Sequence, residues 1–523
     1  MTVWYRKITT MAIMISLLTV TACSSSGSTS SGESADHSEE LSDTAQSASV
    51  IHLKAITMGK EPASGMDEFY KQLDALTIKD FGATLRFDFI PWGEEKSIIG
   101  RAIVTKAYDF YVGGFWTDFK DYASKNAFVD LVPLLDQVPK LVEHYGNVLD
   151  RVKINGKLYG LPTFGKPAAG SYGVLYREDL RKQWGLPAIH DFSSLEQYLY
   201  KAKDEYSDTP MINDKRFGDV LWDILTGGKY YTVVQDYAVA AIAEPYKAIN
   251  KYETPEYKQM VEIARKWYRD GVVDHDILAS QNNETAKTVE LMKANKKPLE
   301  FSNHFGAVSF GYIDVLNQLY PEQQFGWFDI KFDLYPQTVF MPKISVETSS
   351  MISIGSNSKY PETALKLLEK AHTDPRYYVL LQYGVEGEHY KLIDNAVSFE
   401  GIAEENRKPY WTGLADGYLD LPVKYPDQWQ EIVNRLQYDE GPKLAMKNGI
   451  DPYEGFVFDT APVSAQLERM ESKKVQFIQP LAAGVSDDID NDLSRARQEL
   501  KEAGIDDYMR ELQSQLDKFA AAR

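Results

Sequence analysis

The chain has 523 residues, 44% of them hydrophobic, and a formal net charge of -19. Domains of roughly 100–200 residues are typical, so this length predicts two or three lobes rather than one core. The acidity argues against nucleic acid and anionic lipid headgroups as partners, because their phosphates would be repelled.

The first residues have the pattern of a secretory signal. Arg6 and Lys7 precede an apolar run at residues 8–20, which is shorter than the roughly 20 residues of a membrane-spanning helix. Cys23, the single cysteine of the chain, follows at once and resembles the lipidation site of a bacterial lipoprotein. We expect a signal peptide at residues 1–22 and a diacylated, palmitate-bearing Cys23; the alternative is a plain signal peptide with a chance cysteine.

Residues 24–49 are rich in Ser, Gly, Thr and acidic side chains and have almost no apolar ones. Such a segment buries too little surface to fold, so residues 23–49 are expected to form a flexible tether. With Cys23 lipidated, no thiol remains for a disulfide, a thiolate metal site or a nucleophile. The protein is therefore expected to be anchored to the cell membrane, outside the cytoplasm, without spanning it.

Folding is expected to begin near residue 50 with alternating strands and helices. The pattern predicts strands at 51–58, 83–89 and 108–112 and helices at 67–76 and 97–107. This order predicts a mostly parallel sheet covered by helices, whose ligands sit beyond the carboxyl ends of the strands. The residues that follow those ends include Lys60, Glu61, Trp92 and Trp116.

A second group of strands lies between residues 155 and 187. Strands are predicted at 157–160 and 173–176, joined by small residues at 164–171, and a helix is predicted to open at 177. A short connector of this kind would let the chain leave one lobe and begin another, although two ordinary strands of a large enzyme would look similar.

Further elements follow in the middle of the chain. Ser193 with Glu196 matches a capping box and predicts a helix from 193 to 203. The remaining predicted elements are helices at 217–225, 256–269, 284–294 and 361–371 and strands at 299–303 and 350–354.

Several motifs resemble one family. They are GKLYGLP at 156–162, GVLYREDL at 173–180, YGVEGEHY at 383–390, GFVFDTAPV at 455–463 and AGID at 503–506. Together with the lipidation motif they resemble bacterial extracellular solute-binding lipoproteins of carbohydrate ABC importers. The resemblance implies a two-lobed α/β fold like that of periplasmic binding proteins, with mostly parallel sheets, hinge crossovers and a ligand cleft between the lobes. Lobe 1 is expected at 50–162 and 346–388, and lobe 2 at 170–345 and 389–523 with a helical C-terminal region.

The resemblance also implies a function. An oligosaccharide would be captured between the lobes and delivered to ABC permease subunits in the membrane by a monomer without cofactor, metal or enzymatic activity. A surface glycoside hydrolase or lyase, and a sugar-sensing or adhesion lipoprotein, remain as alternatives. No G-x-S-x-G elbow, P-loop, dinucleotide fingerprint or H-E-x-x-H motif is present in the sequence.

Acidic clusters are predicted to be structural. Asp274, His275 and Asp276 are adjacent and are interpreted as a solvated loop. The acids from Asp488 to Glu499 match several positions of a calcium loop, but Leu493 stands where the turn needs glycine. We therefore expect them to cap a helix that begins near residue 492.

A sugar pocket needs flat rings for the C–H faces and polar groups for the hydroxyls. The candidate ligand residues are Lys60, Glu61, Trp92, Trp116, Phe164, Tyr172, Trp222, Asn303, His304, Trp411, Phe458 and Asp459. Core packing is the favoured alternative for Trp222, whereas for Lys60 and Glu61 a charged surface turn and ligand contact are equally compatible with the sequence. A hinge or structural role competes for Phe164, Tyr172, Phe458 and Asp459, while Trp411 rests on the family resemblance.

Overall fold

The structure is a computed structural model. It describes residues 50–522 except 92, 163–171, 235, 280–284, 306–307, 309–311, 335–349, 408–411, 416–420, 441–442, 444–451 and 454–455. The signal peptide, Cys23 and the tether predicted from the sequence lie outside the described residues.

The strands, numbered in chain order, are short. They are β1 Ile51–Met58, β2 Ala83–Ile90, β3 Phe110–Gly113, β4 Leu161–Pro162, β5 Tyr172–Arg177, β6 Tyr230–Val234, β7 Ala238–Ala241, β8 Ile249–Asn250, β9 Leu299–His304, β10 Phe325–Asp329, β11 Met351–Ile354, β12 Lys391–Ile393 and β13 Ala396–Ser398.

The α-helices of the described residues are numbered in the same way. They are α1 Met66–Phe81, α2 Glu95–Thr105, α3 Phe119–Ser124, α4 Pro139–Tyr145, α5 Val148–Arg151, α6 Glu178–Gln183, α7 Phe192–Glu205, α8 Phe217–Thr226, α9 Pro255–Arg269, α10 Thr285–Lys293, α11 Ile313–Leu319, α12 Ile330–Leu334, α13 Pro361–Thr373, α14 Pro375–Tyr383, α15 Asp427–Val433, α16 Ser464–Lys473, α17 Gln479–Ala482, α18 Ile489–Ala503 and α19 Ile505–Ala521. Across the part of the chain that is described, none of them has the length and apolar character needed to cross a membrane.

The first sheet has the strand order β2-β1-β3-β11-β4. β1 runs parallel to β2 and β3, and β11 runs antiparallel to β3 and β4. Alternate side chains of each strand enter different clusters: Leu53 and Ala55 pack on one face of the sheet, and Ile56 and Met58 on the other. Both faces are therefore covered, as the alternating β-α-β-α-β pattern predicts.

The second sheet has the order β10-β5-β9, and both of its pairings are antiparallel. The prediction of mostly parallel sheets is therefore correct for the first sheet and wrong for the second. The reversed strand of each sheet is the one at which the chain arrives from the other sheet, β5 after β4 and β11 after β10. Neither strand is reached by a crossover from a neighbouring strand of its own sheet, which is the connection that produces parallel pairing.

The chain passes between the sheets twice, between Pro162 and Tyr172 and between Leu334 and Met351. Both passages lie largely outside the described residues. Three hydrophobic clusters surround these sheets, two on the faces of the first sheet and one on the second, although Leu175, Phe325 and Trp327 of the second sheet join a cluster of the first. The lobe limits given above remain a prediction.

Two local predictions are wrong. The structure has an isolated bridge between Ile154 and Lys157 in place of a strand at 157–160, and the strand lies at β4. The cap of α7 is Asp191 rather than Ser193: the Asp191 backbone is extended, and its side chain accepts from the Ser194 N–H. Ser193 is already inside the helix, so it cannot cap it.

The C-terminal acids behave as predicted. Asp488 is the N-cap of α18 and accepts a hydrogen bond from the Asn491 N–H, while Asp490 and Asp492 lie in the first helical turn. Leu493 is buried in the cluster of the second sheet. Within the described residues, no group of three or more acidic or histidine side chains is arranged to hold a metal ion.

Candidate functional site

The carboxyl ends of β1, β2 and β3 meet at one edge of the first sheet. Met58 pairs with Ile90, and the Gly59 N–H donates to the Ile90 carbonyl at 2.9 Å. The loop that follows β1 carries Lys60 and Glu61, and both side chains are exposed. Two of the predicted ligand residues are thus at the sheet edge and accessible to a ligand.

The turn after β3 is held by backbone hydrogen bonds to the Gly114 carbonyl and by the Thr117 hydroxyl. Thr117 Oγ1 accepts from the Gly114 N–H at 2.9 Å and lies 3.1 Å from the Gly114 carbonyl, and Thr117 is buried. Trp116 sits in this turn, half-buried against the cluster on the outer face of the sheet. The turn therefore positions the Trp116 indole at the sheet edge, and part of the indole remains exposed to solvent.

Trp92, which follows β2, is outside the described residues. Its neighbour Gly93 donates its N–H to Glu95 Oε2 at 2.5 Å. Lys96, in the next helix, pairs with Asp118 at 3.0 Å, next to the Trp116 turn. The ends of β2 and β3 are therefore linked across the edge.

The second sheet brings three predicted residues to one of its own ends. Tyr172, the first residue of β5, pairs with His304, and Gly173 pairs with Asn303 near the end of β9. A Cβ at Gly173 would lie 2.5 Å from the Trp327 ring, so only glycine fits this register. The nine residues between Pro162 and Tyr172 span at most about 35 Å, which limits the separation of the two sheet ends.

Phe458 and Asp459 are structural contacts of the C-terminal helices. The Phe458 ring meets Tyr508 edge-on with centroids 5.2 Å apart, and the Asp459 N–H donates to Gln515 Oε1 at 2.8 Å. The same segment also approaches the first sheet, because Lys120 Nζ donates to the Phe456 carbonyl at 3.2 Å. The contact with the helix that follows the Trp116 turn is thus made by Phe456, two residues before Phe458.

Trp222 lies in the hydrophobic cluster of the second sheet. It is 4% exposed, stacks on Tyr230 with centroids 6.1 Å apart, and has Lys251 Nζ 5.0 Å from its ring. This is the packing role that was favoured for it, so we leave Trp222 out of the site proposed below; ligand contact by it stays untested.

Phe164 and Trp411 are outside the described residues, but residues that follow Trp411 are informative. Gly413 adopts φ +61° and approaches Val112 of β3 so closely that an added Cβ would lie 2.6 Å from Val112 Cγ1. Thr412 Oγ1 donates to the Leu381 carbonyl at 2.5 Å. The chain next to Trp411 is therefore packed beside the end of β3.

A buried ion pair anchors the segment that precedes Trp411. Arg407 Nη1 lies 3.9 Å from Asp314 Oδ2, and the two side chains are 5% and 13% exposed. Burial raises the pKa of Asp314 to about 6, and the nearby guanidinium opposes that rise. The pair ties this segment to α11, which follows β9 in the chain.

The YGVEGEHY motif contributed to the family resemblance, but none of its residues was predicted to belong to the site. The structure puts His389 of that motif against the loop that carries Lys60 and Glu61, with Nε2 2.9 Å from the Ser64 carbonyl. The missed signal was a histidine that closely follows two neighbouring glycines, Gly384 and Gly387.

Three comparisons with known proteins bear on this geometry. Residues 452–521 match a family model described as "Domain of unknown function (DUF3502)". The chain is 22% identical over 484 residues to a carbohydrate ABC transporter substrate-binding protein of Streptococcus pneumoniae serotype 4, covering 89% of this chain and 90% of that protein.

Solved structures share the fold. The N-glycan transport solute binding protein NgtS of Streptococcus pneumoniae, in complex with Man1GlcNAc, has a TM-score of 0.69 and 21% identity, with 90% of this chain and 99% of that chain covered. The S. pneumoniae ABC-transporter substrate binding protein FusA, in complex with kestose, has a TM-score of 0.61 and 15% identity, with 90% and 100% covered. The predicted two-lobed solute-binding fold and the resemblance to carbohydrate-binding importer proteins are confirmed.

Proposed function

We propose that this protein is the substrate-binding lipoprotein of an ABC importer, which captures an oligosaccharide between its lobes and delivers it to a membrane permease. The observation that carries the proposal is the shared fold over nine-tenths of the chain with binding proteins whose names specify saccharides. Exposed polar side chains and a half-buried indole at the sheet edge supply the groups that a sugar needs.

In this proposal each sheet contributes one wall of the cleft. Lys60 and Glu61 hydrogen-bond sugar hydroxyls, and Trp116 stacks on a C–H face; Trp92 and Trp411 extend the aromatic wall. Tyr172, Asn303 and His304 act from the second sheet, Phe164 lies in the crossing, and Phe458 and Asp459 border the cleft. A ligand that contacts both walls favours the closed arrangement, because it binds that state more tightly than the open one.

The proposed location follows from the N-terminal sequence. A lipid on Cys23 and the tether to residue 49 hold a monomeric body at the outer face of the cell membrane. The permease subunits are its partners, and the body itself performs no chemistry and needs no cofactor.

A thermal-shift screen of the full chain in mild detergent tests the proposal. The panel contains monosaccharides, mannose- and N-acetylglucosamine-containing oligosaccharides, and fructo-oligosaccharides. A saccharide at 100 times its Kd adds about 2.7 kcal/mol to the free energy of unfolding, which raises Tm. No shift with any carbohydrate would contradict the proposal.

The fate of the saccharide separates the alternatives. Mass spectrometry after incubation is expected to recover the bound saccharide unchanged. Cleavage would instead support a glycoside hydrolase or lyase. Binding without any loss of uptake in cells that lack the protein would support a sensing or adhesion role.

A further inference from the structure

Residues 385–407, called the clamp segment below, contact the loop between β1 and α1. The Ala63 N–H donates to the Glu405 carbonyl at 3.1 Å, and the Ser64 N–H donates to Asn406 Oδ1 at 3.0 Å. Two consecutive backbone amides of a loop in the first lobe are thus bonded to residues about 340 positions later in the chain.

The third contact between the clamp segment and this loop is made by the buried side chain of His389. Its side chain is fully buried, and Nδ1 accepts from the Val385 N–H at 2.9 Å. The hydrogen of the neutral ring is therefore on Nε2, which donates to the Ser64 carbonyl at 2.9 Å. One imidazole joins the backbone of the clamp segment to the backbone of the loop.

The loop fits this ring only because it ends in glycine. Gly65 has φ +79°, and a Cβ there would lie 2.7 Å from His389 Cε1 and Nε2. Both the left-handed backbone and the close approach require a residue without a side chain. The loop also begins at a left-handed glycine, Gly59 with φ +109°. Such a loop has many alternative backbone states, so its bound conformation must be selected by contacts.

The clamp segment is itself fixed to helices next to the second sheet. Lys293, the last residue of α10, pairs with Glu404 at 2.5 Å, and Arg407 pairs with Asp314 of α11. α10 packs on β9, the strand that ends in Asn303 and His304. The segment therefore lies between the loop of the first sheet and the helix that supports the second.

We propose that His389 is a positioning residue for the sugar site. It holds the Ser64 carbonyl so that Lys60 and Glu61 are presented in one conformation, and it does not touch the saccharide. The inference rests on the proposed function, because the loop must contact the ligand. Pre-ordering the loop lowers the entropy that binding would otherwise cost, so losing the contact weakens binding.

Two substitutions of His389 test separately the hydrogen bonds made by its two ring nitrogens. His389→Asn retains an acceptor near Nδ1 for Val385 but is too short to reach Ser64. His389→Gln places an amide near Nε2 and can reach it. His52→Asn, at an exposed histidine of β1, is the matched control.

The first measurement is hydrogen exchange of the full chain without ligand. The peptide that covers residues 59–70 is expected to exchange about tenfold faster in His389→Asn than in wild type, and peptides from β5 and β9 are expected to be unchanged. Equal protection of the loop in both proteins would overturn the inference whether or not a sugar is known.

The second measurement is the Kd for a saccharide that shifts the wild-type Tm. We expect His389→Asn to weaken binding about tenfold, the usual size of one buried hydrogen bond. His389→Gln should recover most of that loss, and His52→Asn should have no effect. In a Lys60→Ala/Glu61→Ala background the additional loss from His389→Asn should fall below twofold.

The outcomes distinguish the two proposals. A wild-type protein that binds no saccharide contradicts the proposed function. A wild-type protein that binds, with the same loss from His389→Asn in both backgrounds or with none in either, contradicts the positioning role and leaves the proposed function intact.

Discussion

Trp116 illustrates how the structure positions one residue of the proposed site. Thr117 fixes the turn through the Gly114 backbone, and part of the indole packs on the sheet while part remains exposed. A ring that already packs against the protein loses less conformational entropy when a sugar stacks on it than a free side chain would. This distinguishes Trp116 from Trp222, whose ring is enclosed by other aromatic side chains.

Replacement of Trp116 tests this reading. Trp116→Ala is expected to weaken saccharide binding about tenfold or more, because an aromatic stacking contact is lost. Trp116→Phe should retain most of the affinity, because a flat ring remains. Isothermal titration calorimetry measures both; equal affinity of wild type and the alanine variant would remove Trp116 from the site.

His372 is a second residue whose surroundings decide its chemistry. It is fully buried, its Nδ1 is 2.8 Å from the Leu368 carbonyl, and Nε2 is 3.2 Å from the Tyr145 hydroxyl, which donates to the Pro162 carbonyl at the first crossing. Burial lowers the pKa of His372 from 6.5 to about 4. The unfolded chain therefore binds a proton that the folded protein excludes.

This shift predicts a pH dependence of stability. His372 contributes up to about 3 kcal/mol to the free energy of unfolding. This contribution is present above pH 6.5 and is lost as the pH falls from 6.5 through 4. His372→Gln should therefore show a smaller fall of Tm between pH 6.5 and 4.5 than wild type, by circular dichroism. His52→Gln should keep the wild-type slope, and parallel curves for His372→Gln and wild type would refute the assignment.

At the scale of elements, helix ends explain the acidic clusters better than metal binding does. Asp488 caps α18 with its side chain, and Asp490, two residues later in the first turn, pairs with Lys258 on the surface. Carboxylates at these positions satisfy free N–H groups and complement the helix dipole. The calcium-like spacing of these aspartates is therefore explained by their positions at the N-terminus of a capped helix.

Two neighbouring aspartates allow a matched test. Asp488→Ala should destabilise the protein by about 1 kcal/mol, the usual cost of losing an N-cap. Asp490→Ala should leave the unfolding midpoint nearly unchanged, because its contact is exposed. Urea denaturation measures both, and equal effects of the two substitutions would contradict the capping role of Asp488.

At the scale of the whole molecule, both passages between the sheets attach at the proposed cleft. β4 and β5 are joined by residues 163–171, and the return passage ends at β11 beside β3. Rotation of the lobes would require backbone change at these two passages and between Leu436 and Phe456, where the chain leaves the cluster of the first sheet for that of the second.

Small-angle X-ray scattering is expected to show a smaller radius of gyration when a saccharide that shifts Tm is added. The same concentration should have less effect on Trp116→Ala, because less protein is bound. Saturated binding with an unchanged radius of gyration would show that capture occurs without closure of the lobes.

The sequence by itself determined much of this description. The sequence located β1 at residues 51–58, because its first half alternates between exposed and buried side chains, which leaves a period-two pattern. The sequence motifs identified the fold. In the calcium-like stretch, Leu493 stands where a calcium loop needs glycine, which indicated a helix cap instead. These features depend on residues that are close together in the sequence, so they can be predicted from the sequence alone.

Only the tertiary structure decided the rest. The direction of β5 depends on where the chain enters its sheet, and the core position of Trp222 depends on neighbours from α9 and β6. The contact of His389 with Ser64 joins residues 325 positions apart. Such pairings depend on how distant segments pack, which no spacing along the chain specifies.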